Sequence, residues 1–322
     1  MSLVVGRAVT PDPVRVAAID CGTNAVRLLI ADIDATGVLH DVERTMRIVR
    51  LGEGVDATGE FSAAALQRTF AALDQYAGLI HRYQPRALRF VATSASRDVR
   101  NRAAFIDGVR ERIGVPPEVI SGAQEAGLSF LGATRGLPVG LLDPRQPVLV
   151  VDIGGGSTEF VRGLPTSPSA LAAVSVDIGC VRMTERHLHG DPPTAAQVAA
   201  ADADIAAAIA HAGSQVPLTG ARLVAVSGTA TTVAAAAMDL PDYDPERLHG
   251  AVITARSVDA VAATLLAMTR EQRAALPYMH PGRVDVIGGG AMVLRQVVTA
   301  AHAADVVISE TDILDGIAYR LA

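Results

Sequence analysis

In "VVDIGGGSTEF", residues 150–160, Asp152 and Glu159 flank Gly154, Gly155, Gly156 and Ser157, directly after an aliphatic run. Glycines let a backbone come close to a ligand, and their exposed N–H groups point at anionic oxygens, for which phosphate is the natural guest. Carboxylates fit beside an anion when a cation stands between them. Asp152 and Glu159 offer the hard oxygens that Mg²⁺ (or Mn²⁺) takes while keeping waters and phosphate oxygens. A plain outward-facing strand position is the other reading of Glu159.

Three further loops follow aliphatic runs and are built from glycine and hydroxyl residues: Asp20 to Asn24, Ser227 to Thr232 and Gly288 to Gly290. Any one of them serves turn geometry alone. Four in one chain point to phosphate, with a helix dipole expected to add to the site after Gly290. Glu125 falls in the first turn of an expected helix, where a carboxylate stays ionised and accepts a proton from water. First-turn glutamates are also common helix stabilisers, and spacing by itself favours that reading. Arg97, in "TSASRD", follows a strand and could neutralise phosphate charge, or form a surface salt bridge with Asp98. His280 and Arg283 lie near the last glycine turn and carry little weight from spacing.

The elements that must position these residues are legible as patterns. Residues 15–34 read as two strands joined by a tight turn, and residues 148–162 repeat that grammar, an internal duplication at domain scale. Between them, Leu66, Phe70, Leu73 and Ala77 mark one face of a helix that Ser62 caps. A second helix runs from Asn101 as cap to Gly114, and Ser121 with Gln124 forms a capping pattern before Glu125. "LLDPRQP", residues 141–147, is a linker into the second hairpin. Thr194 with Gln197 caps an alanine-rich helix, and "RLVAVSGTATTVAAAA" and "RVDVIGGGAMVLRQVVTAA" each read as strand, turn and helix. The closing helix carries Ile313, Leu314, Ile317 and Leu321 on one side.

Composition limits the function classes. The chain has 322 residues, half of them hydrophobic, which suits two domains with their own cores. Its net charge of −6 argues against nucleic acid as partner, and its basic residues are all arginine, which removes Schiff-base and P-loop lysine chemistry. Two cysteines, Cys21 and Cys180, make no disulfide framework, so a reducing cytoplasm is expected. No signal peptide and no membrane span are read.

"AIDCGTNAVRLLI", "ATSASRD", "VISGAQEA", "VVDIGGGSTEF", "VSGTATT", "PGRVDVIGGGAMVL" and "SETDILDGIAY" occur in the order of the exopolyphosphatase and guanosine pentaphosphate phosphohydrolase family, which the chain resembles along nearly its whole length. The resemblance implies an α/β fold of the actin-like superfamily, with two ribonuclease-H-like domains facing across a cleft. Domain I would take residues 1–124 plus 309–322, the closing helix returning to it, and domain II residues 125–308. The extra helical domains of long members are not expected. By matched position the resemblance makes Glu125 the general base and Asp152 and Glu159 the metal-associated acids. It makes Thr23, Asn24 and Gly154 to Ser157 the phosphate cradle, and Arg97 a phosphate-facing arginine. Gln124 stands where many members have glutamate, a change of local charge and capping.

The activity so implied is Mg²⁺-dependent release of terminal orthophosphate from inorganic polyphosphate by water activated at Glu125, in a cytoplasmic homodimer. Guanosine pentaphosphate, cut at its 5′ γ-phosphate, is the alternative substrate. Only 3% of residues are aromatic, which leaves few groups to stack a base and tilts the reading toward polyphosphate. A small-molecule kinase and a non-catalytic polyphosphate or alarmone sensor are the other readings.

Overall fold

The structure, a computed structural model, describes residues 12–97, 99–167 and 171–321. The N-terminal stretch read for a signal peptide lies mostly outside the described residues, as does Asp98. The first sheet contains β1 (Val14–Cys21), β2 (Ala25–Ile33), β3 (Leu39–Ile48), β4 (Ala87–Ala92) and β5 (Glu118–Val119), in the order β3-β2-β1-β4-β5. The same stretch holds α1 (Val55–Thr58), α2 (Ala63–Tyr83), α3 (Ser94–Arg97) and α4 (Arg102–Ile113). α5 (Gly122–Gly136) leads to the second sheet.

That sheet contains β6 (Val148–Ile153), β7 (Thr158–Gly163), β8 (Ala172–Val176), β9 (Arg222–Val226), β10 (Val252–Thr254) and β11 (Asp305–Ile308), in the order β10-β11-β9-β6-β7-β8. Its helices are α6 (Cys180–His187), α7 (Ala195–Gln215), α8 (Ser227–Ala237), α9 (Pro245–Leu248), α10 (Ala255–Ala267), α11 (Arg270–Ala274) and α12 (Ile287–Ala300), and α13 (Ile313–Tyr319) closes the chain. Each sheet is an antiparallel meander of three strands, β3-β2-β1 and β8-β7-β6, continued by parallel strands, and the second sheet adds β10 antiparallel at its edge. This ribonuclease-H-like order appears twice, as the repeated hairpin predicted. Among the described residues no helix is long and apolar enough to cross a membrane.

Alternation explains why the first strand of each hairpin is so apolar. On β1, Ala17, Ile19 and Cys21 enter the core under α2 and α4, while Val16 and Ala18 enter the core under α13. On β6, Leu149, Val151 and Ile153 face one core and Val148 and Val150 another. A strand covered on both faces has no polar side to spend, and each Val, Ile or Leu so buried contributes about 1.5–3 kcal/mol. The polar residues are therefore forced to the strand ends, where the two hairpin turns lie.

The caps at Ser62, Ser121 and Thr194 hold the side-chain bonds expected of them. Asn101 does not: its Oδ1 accepts from Phe61 N and its Nδ2 donates to Phe61 O, tying α4 to the start of α2. The buried face of α2 is Ala65, Thr69, Ala72, Leu73 and Tyr76, with Leu66, Phe70 and Ala77 at its edge, and the Tyr76 hydroxyl donates to the Val26 carbonyl at 2.9 Å. Two loop readings are corrected. Ser227–Thr232 opens α8 directly after β9 with no loop between them, and Gly288–Gly290 is no loop after a strand but part of the first turns of α12. A Cβ on Gly289 would stand 2.8 Å from Thr184 Oγ1 and 2.9 Å from the Cys180 carbonyl, so these glycines let α12 lie close on α6.

Candidate active site

The two hairpins place their turns at one cleft, and the strand registers decide what stands there. Asp20 on β1 is directly opposite Arg27 on β2, and Asp152 on β6 is directly opposite Glu159 on β7. The duplicated geometry thus pairs acid with base in the first hairpin and acid with acid in the second. Opposed cross-strand side chains share a face at about 4.5–5.5 Å, so the second pair repels when both are ionised. Burial pushes the Asp152 carboxyl up to about 6. It pushes Glu159 well above the carboxylate range, with Glu125 and Asp152 adding to the shift.

Serines hold the second pair in place. Ser129 of α5 donates to Asp152 Oδ2 at 2.5 Å, and Ser227 donates to Asp152 Oδ1. Ser227 takes φ 74° to do so, a left-handed conformation that serine rarely adopts and that marks a constrained junction between β9 and α8. Ser157 and Ser175 both donate to Glu159 Oε1, at 2.8 and 2.6 Å.

Glu125 sits in the first turn of α5, 8% exposed, with Arg97 Nη1 on its Oε2 at 2.7 Å and on the Ile120 carbonyl at 3.0 Å. Burial raises its carboxyl to about 7 against the opposing pull of Arg97. The neighbouring Gln124 is exposed, its side chain spent on the cap at Ser121, so the departure from the family pattern points away from the cleft.

The cleft is open to solvent on one side, with about 830 Å³ of empty space counted together with that open part. Thr23, Asn24, Glu125, Asp152, Gly154, Gly155 and Ser157 line it, as do Asp20, Arg27 and Arg283. Gly156, Glu159 and Arg97 do not. Gly156 is pressed against the other hairpin, where a Cβ would stand 2.7 Å from Thr23 Oγ1 and 2.8 Å from Ser94 Oγ. The run of glycines therefore admits a neighbouring loop as well as a ligand. Glu159 lies behind Asp152 on its two serines, and Arg97 reaches the cleft through Glu125.

First-turn residues of four helices, Glu125 of α5, Cys180 of α6, Ser227 to Thr229 of α8 and Ile287 of α12, face this one space. Their N-terminal dipoles favour an anion at their common focus. Among the described residues the N–H groups of Thr23, Asn24, Gly155 and Gly156 find no acceptor. Arg283 adds a cation with no carboxylate partner among the described residues: its Nη1 donates to Thr232 Oγ1 at 3.0 Å, and its guanidinium lies 5.6 Å from the centre of the Tyr243 ring.

The acids fit a divalent cation. Asp20 Oδ1 is buried without a hydrogen-bond partner, and Asp20 and Asp152 both line the cleft beside the anion-seeking N–H groups. No group of three or more His, Cys, Asp and Glu is gathered to enclose a metal ion among the described residues, so such an ion would take most ligands from water and phosphate. Sequence reasoning passed over Arg27 and Ser129 and undervalued Asp20, Ser227 and Arg283. The matched spacing of Asp20 with Arg27 and Asp152 with Glu159 around the two turns was the available signal for the first pair.

Known proteins are similar to this chain in sequence and fold. The chain is 48% identical over 321 residues to Exopolyphosphatase 2 of Mycobacterium tuberculosis, covering 96% of this chain and 98% of that one. The crystal structure of an exopolyphosphatase-like protein superposes with a TM-score of 0.88 at 44% identity, covering 96% and 98% of the two chains. That of the Aquifex aeolicus Ppx/GppA family member gives 0.79 at 29% identity, covering 95% and 97%. Residues 29–322 match the Ppx/GppA phosphatase family as a whole, and with the duplicated hairpins meeting at an anion-seeking cleft, the chain belongs to that family.

Proposed function

We propose that the cleft hydrolyses the terminal phosphoanhydride bond of inorganic polyphosphate and releases orthophosphate, with Glu125 as general base. The observation that carries this reading is a buried carboxylate, held by Arg97 and raised to about 7, in a cleft that also holds the unpaired backbone N–H groups of Thr23, Asn24 and Gly155 and four helix N-termini. A base with a pKa near the working pH both exists in its ionised form and accepts a proton effectively.

In this mechanism the N–H groups of Thr23, Asn24 and Gly155 take the oxygens of the terminal phosphoryl group, and Arg283 takes the negative charge of the following one. Glu125 orients a water on the side away from the leaving phosphate and removes its proton at Oε1 or Oε2 as the new P–O bond forms. Mg²⁺ or Mn²⁺, held through Asp20 and Asp152, would supply charge neutralisation for the phosphate oxygens. Glu159 fixes the turn beside Asp152 by accepting from Ser157, and ties it to β8 by accepting from Ser175. Arg97 keeps Glu125 ionised rather than touching phosphate itself.

No aromatic side chain lines the cleft among the described residues, so a purine has no stacking surface there, and polyphosphate is preferred over guanosine pentaphosphate. A cytoplasmic homodimer is the form of the protein that this reading adopts from the family resemblance. The deciding experiment measures orthophosphate release with Mg²⁺ from short polyphosphate, long polyphosphate and guanosine pentaphosphate, with Glu125→Gln as control. Release from polyphosphate that the control loses is expected. Release from the nucleotide alone would move the assignment to alarmone hydrolysis, and tight binding with no release would make the protein a sensor.

A further inference from the structure

Two guanidinium groups line the cleft, and they are not equivalent. Arg283 has no carboxylate partner among the described residues, whereas every nitrogen of Arg27 is engaged by one. Arg27 Nε and Nη2 donate to Asp20 Oδ2 at 3.0 and 2.6 Å, and Nη1 donates to Asp312 Oδ2. Asp312 itself is not in the cleft. It is buried at the N-cap of α13, where its Oδ1 accepts from Leu314 N at 3.0 Å and its backbone N donates to Asp315 Oδ2 at 2.9 Å. Asp315 is held in turn by Arg44 from β3. The closing helix thus delivers a fixed carboxylate to the back of a cleft arginine 285 positions away in sequence.

A polyanion entering the cleft meets Arg27 with its charge already balanced twice. Binding strength and turnover oppose each other in an enzyme that must release a charged product at each cycle, since uniform binding of substrate and product does not raise kcat. We infer that Asp312 is a positioning residue that holds Arg27 onto Asp20 and so keeps the phosphate affinity of the cleft low. The same restraint leaves Asp20 Oδ1 free of the guanidinium. This rests on the phosphate-chain reading of the cleft but does not require turnover.

The test uses Asp312→Asn, which keeps an oxygen for the helix cap at Leu314 and removes the charge that Arg27 faces. Tripolyphosphate binding is measured by calorimetry at fixed Mg²⁺ and ionic strength in the Glu125→Gln background, so that the ligand stays intact. Asp312→Asn is expected to tighten binding about 3- to 10-fold, the size of one partly screened charge interaction. In the otherwise native enzyme KM for polyphosphate should fall with kcat, a split that simple loss of folded protein does not give. Adding Arg27→Gln should abolish the tightening. Unchanged or weaker binding, or tightening that persists with Arg27→Gln, would overturn the inference. Melting curves verify that each variant folds, and Asp312→Ser, which keeps a capping hydroxyl, replaces Asn if it does not. A wild type that releases no orthophosphate but whose Asp312→Asn form binds tripolyphosphate more tightly would defeat the hydrolase reading and leave this one standing.

Discussion

Arg97 Nη1 lies 2.7 Å from Glu125 Oε2, so an arginine and a glutamate 28 positions apart in sequence form one ion pair at the wall of the cleft. Both residues are mostly withdrawn from water, where such a charge-assisted bond is stronger than at the surface. The pairing links two roles that the sequence suggested separately. In the proposed mechanism the arginine thereby sets the ionisation of the base.

The first prediction is a pH profile. Burial raises the Glu125 carboxyl to about 7, and only its ionised form accepts a proton from water, so kcat/KM should fall as pH drops through about 7. Arg97 favours the ionised form, so Arg97→Gln should move that limb to higher pH. Initial rates of orthophosphate release from pH 5.5 to 9 check both statements. An unchanged limb in the variant would remove Arg97 from this role.

Glu125→Gln keeps the size and the cap position of the side chain and removes its basicity. Turnover should drop about 10²- to 10⁴-fold, with tripolyphosphate affinity within a few-fold of the native value. Rapid-quench rates alongside calorimetric binding separate the two quantities.

Gly156→Ala places a methyl group 2.7 Å from Thr23 Oγ1 and 2.8 Å from Ser94 Oγ, two atoms that already bond each other at 3.0 Å. The hairpin turns must part to admit it. A loss of roughly 1–3 kcal/mol in stability is expected, with a raised KM because both phosphate loops move together. Urea denaturation and steady-state kinetics on the same preparation test this.

Gln124→Glu restores the residue many family members carry. The native glutamine accepts from Ser121 N at 2.9 Å and is exposed, and a glutamate makes the same cap. Activity should stay within about twofold of the native level. A larger change in the pH profile would mean that the position is felt in the cleft.

The ligand-free protein should lose stability as pH rises from 5 to 8. Glu125, Asp152 and Glu159 all have folded-state carboxyls raised above their unfolded values, so the native state binds more protons in this window. Their stabilising contribution is complete below the unfolded pKa and disappears as each is forced to ionise. Glu159→Gln removes a carboxyl that burial and the neighbouring Glu125 and Asp152 push up, and should flatten the slope. Denaturant midpoints at pH 5.5 and 8 for both proteins decide it.

Much of this was fixed by local rules. Alternating aliphatic runs interrupted by glycine and hydroxyl turns located the four central strands and both hairpins, because a strand covered on two faces must be apolar throughout. Caps at Ser62, Ser121 and Thr194 followed from side-chain chemistry that acts within three residues. Spacing alone therefore reached Asp152 and the turn glycines, while the resemblance supplied Glu125. It misread Gly288–Gly290, since glycines that let two helices touch look the same in sequence as glycines in a turn. Only the tertiary structure decided that Arg97 serves Glu125, that Glu159 stands behind Asp152, and that Arg27 is held between Asp20 and Asp312. Those relationships depend on strand register and on how the closing helix lies against β1, and they join residues as much as 285 positions apart. Local periodicity fixes which face of an element is buried, but the partner that meets each polar end is chosen by packing over the whole chain.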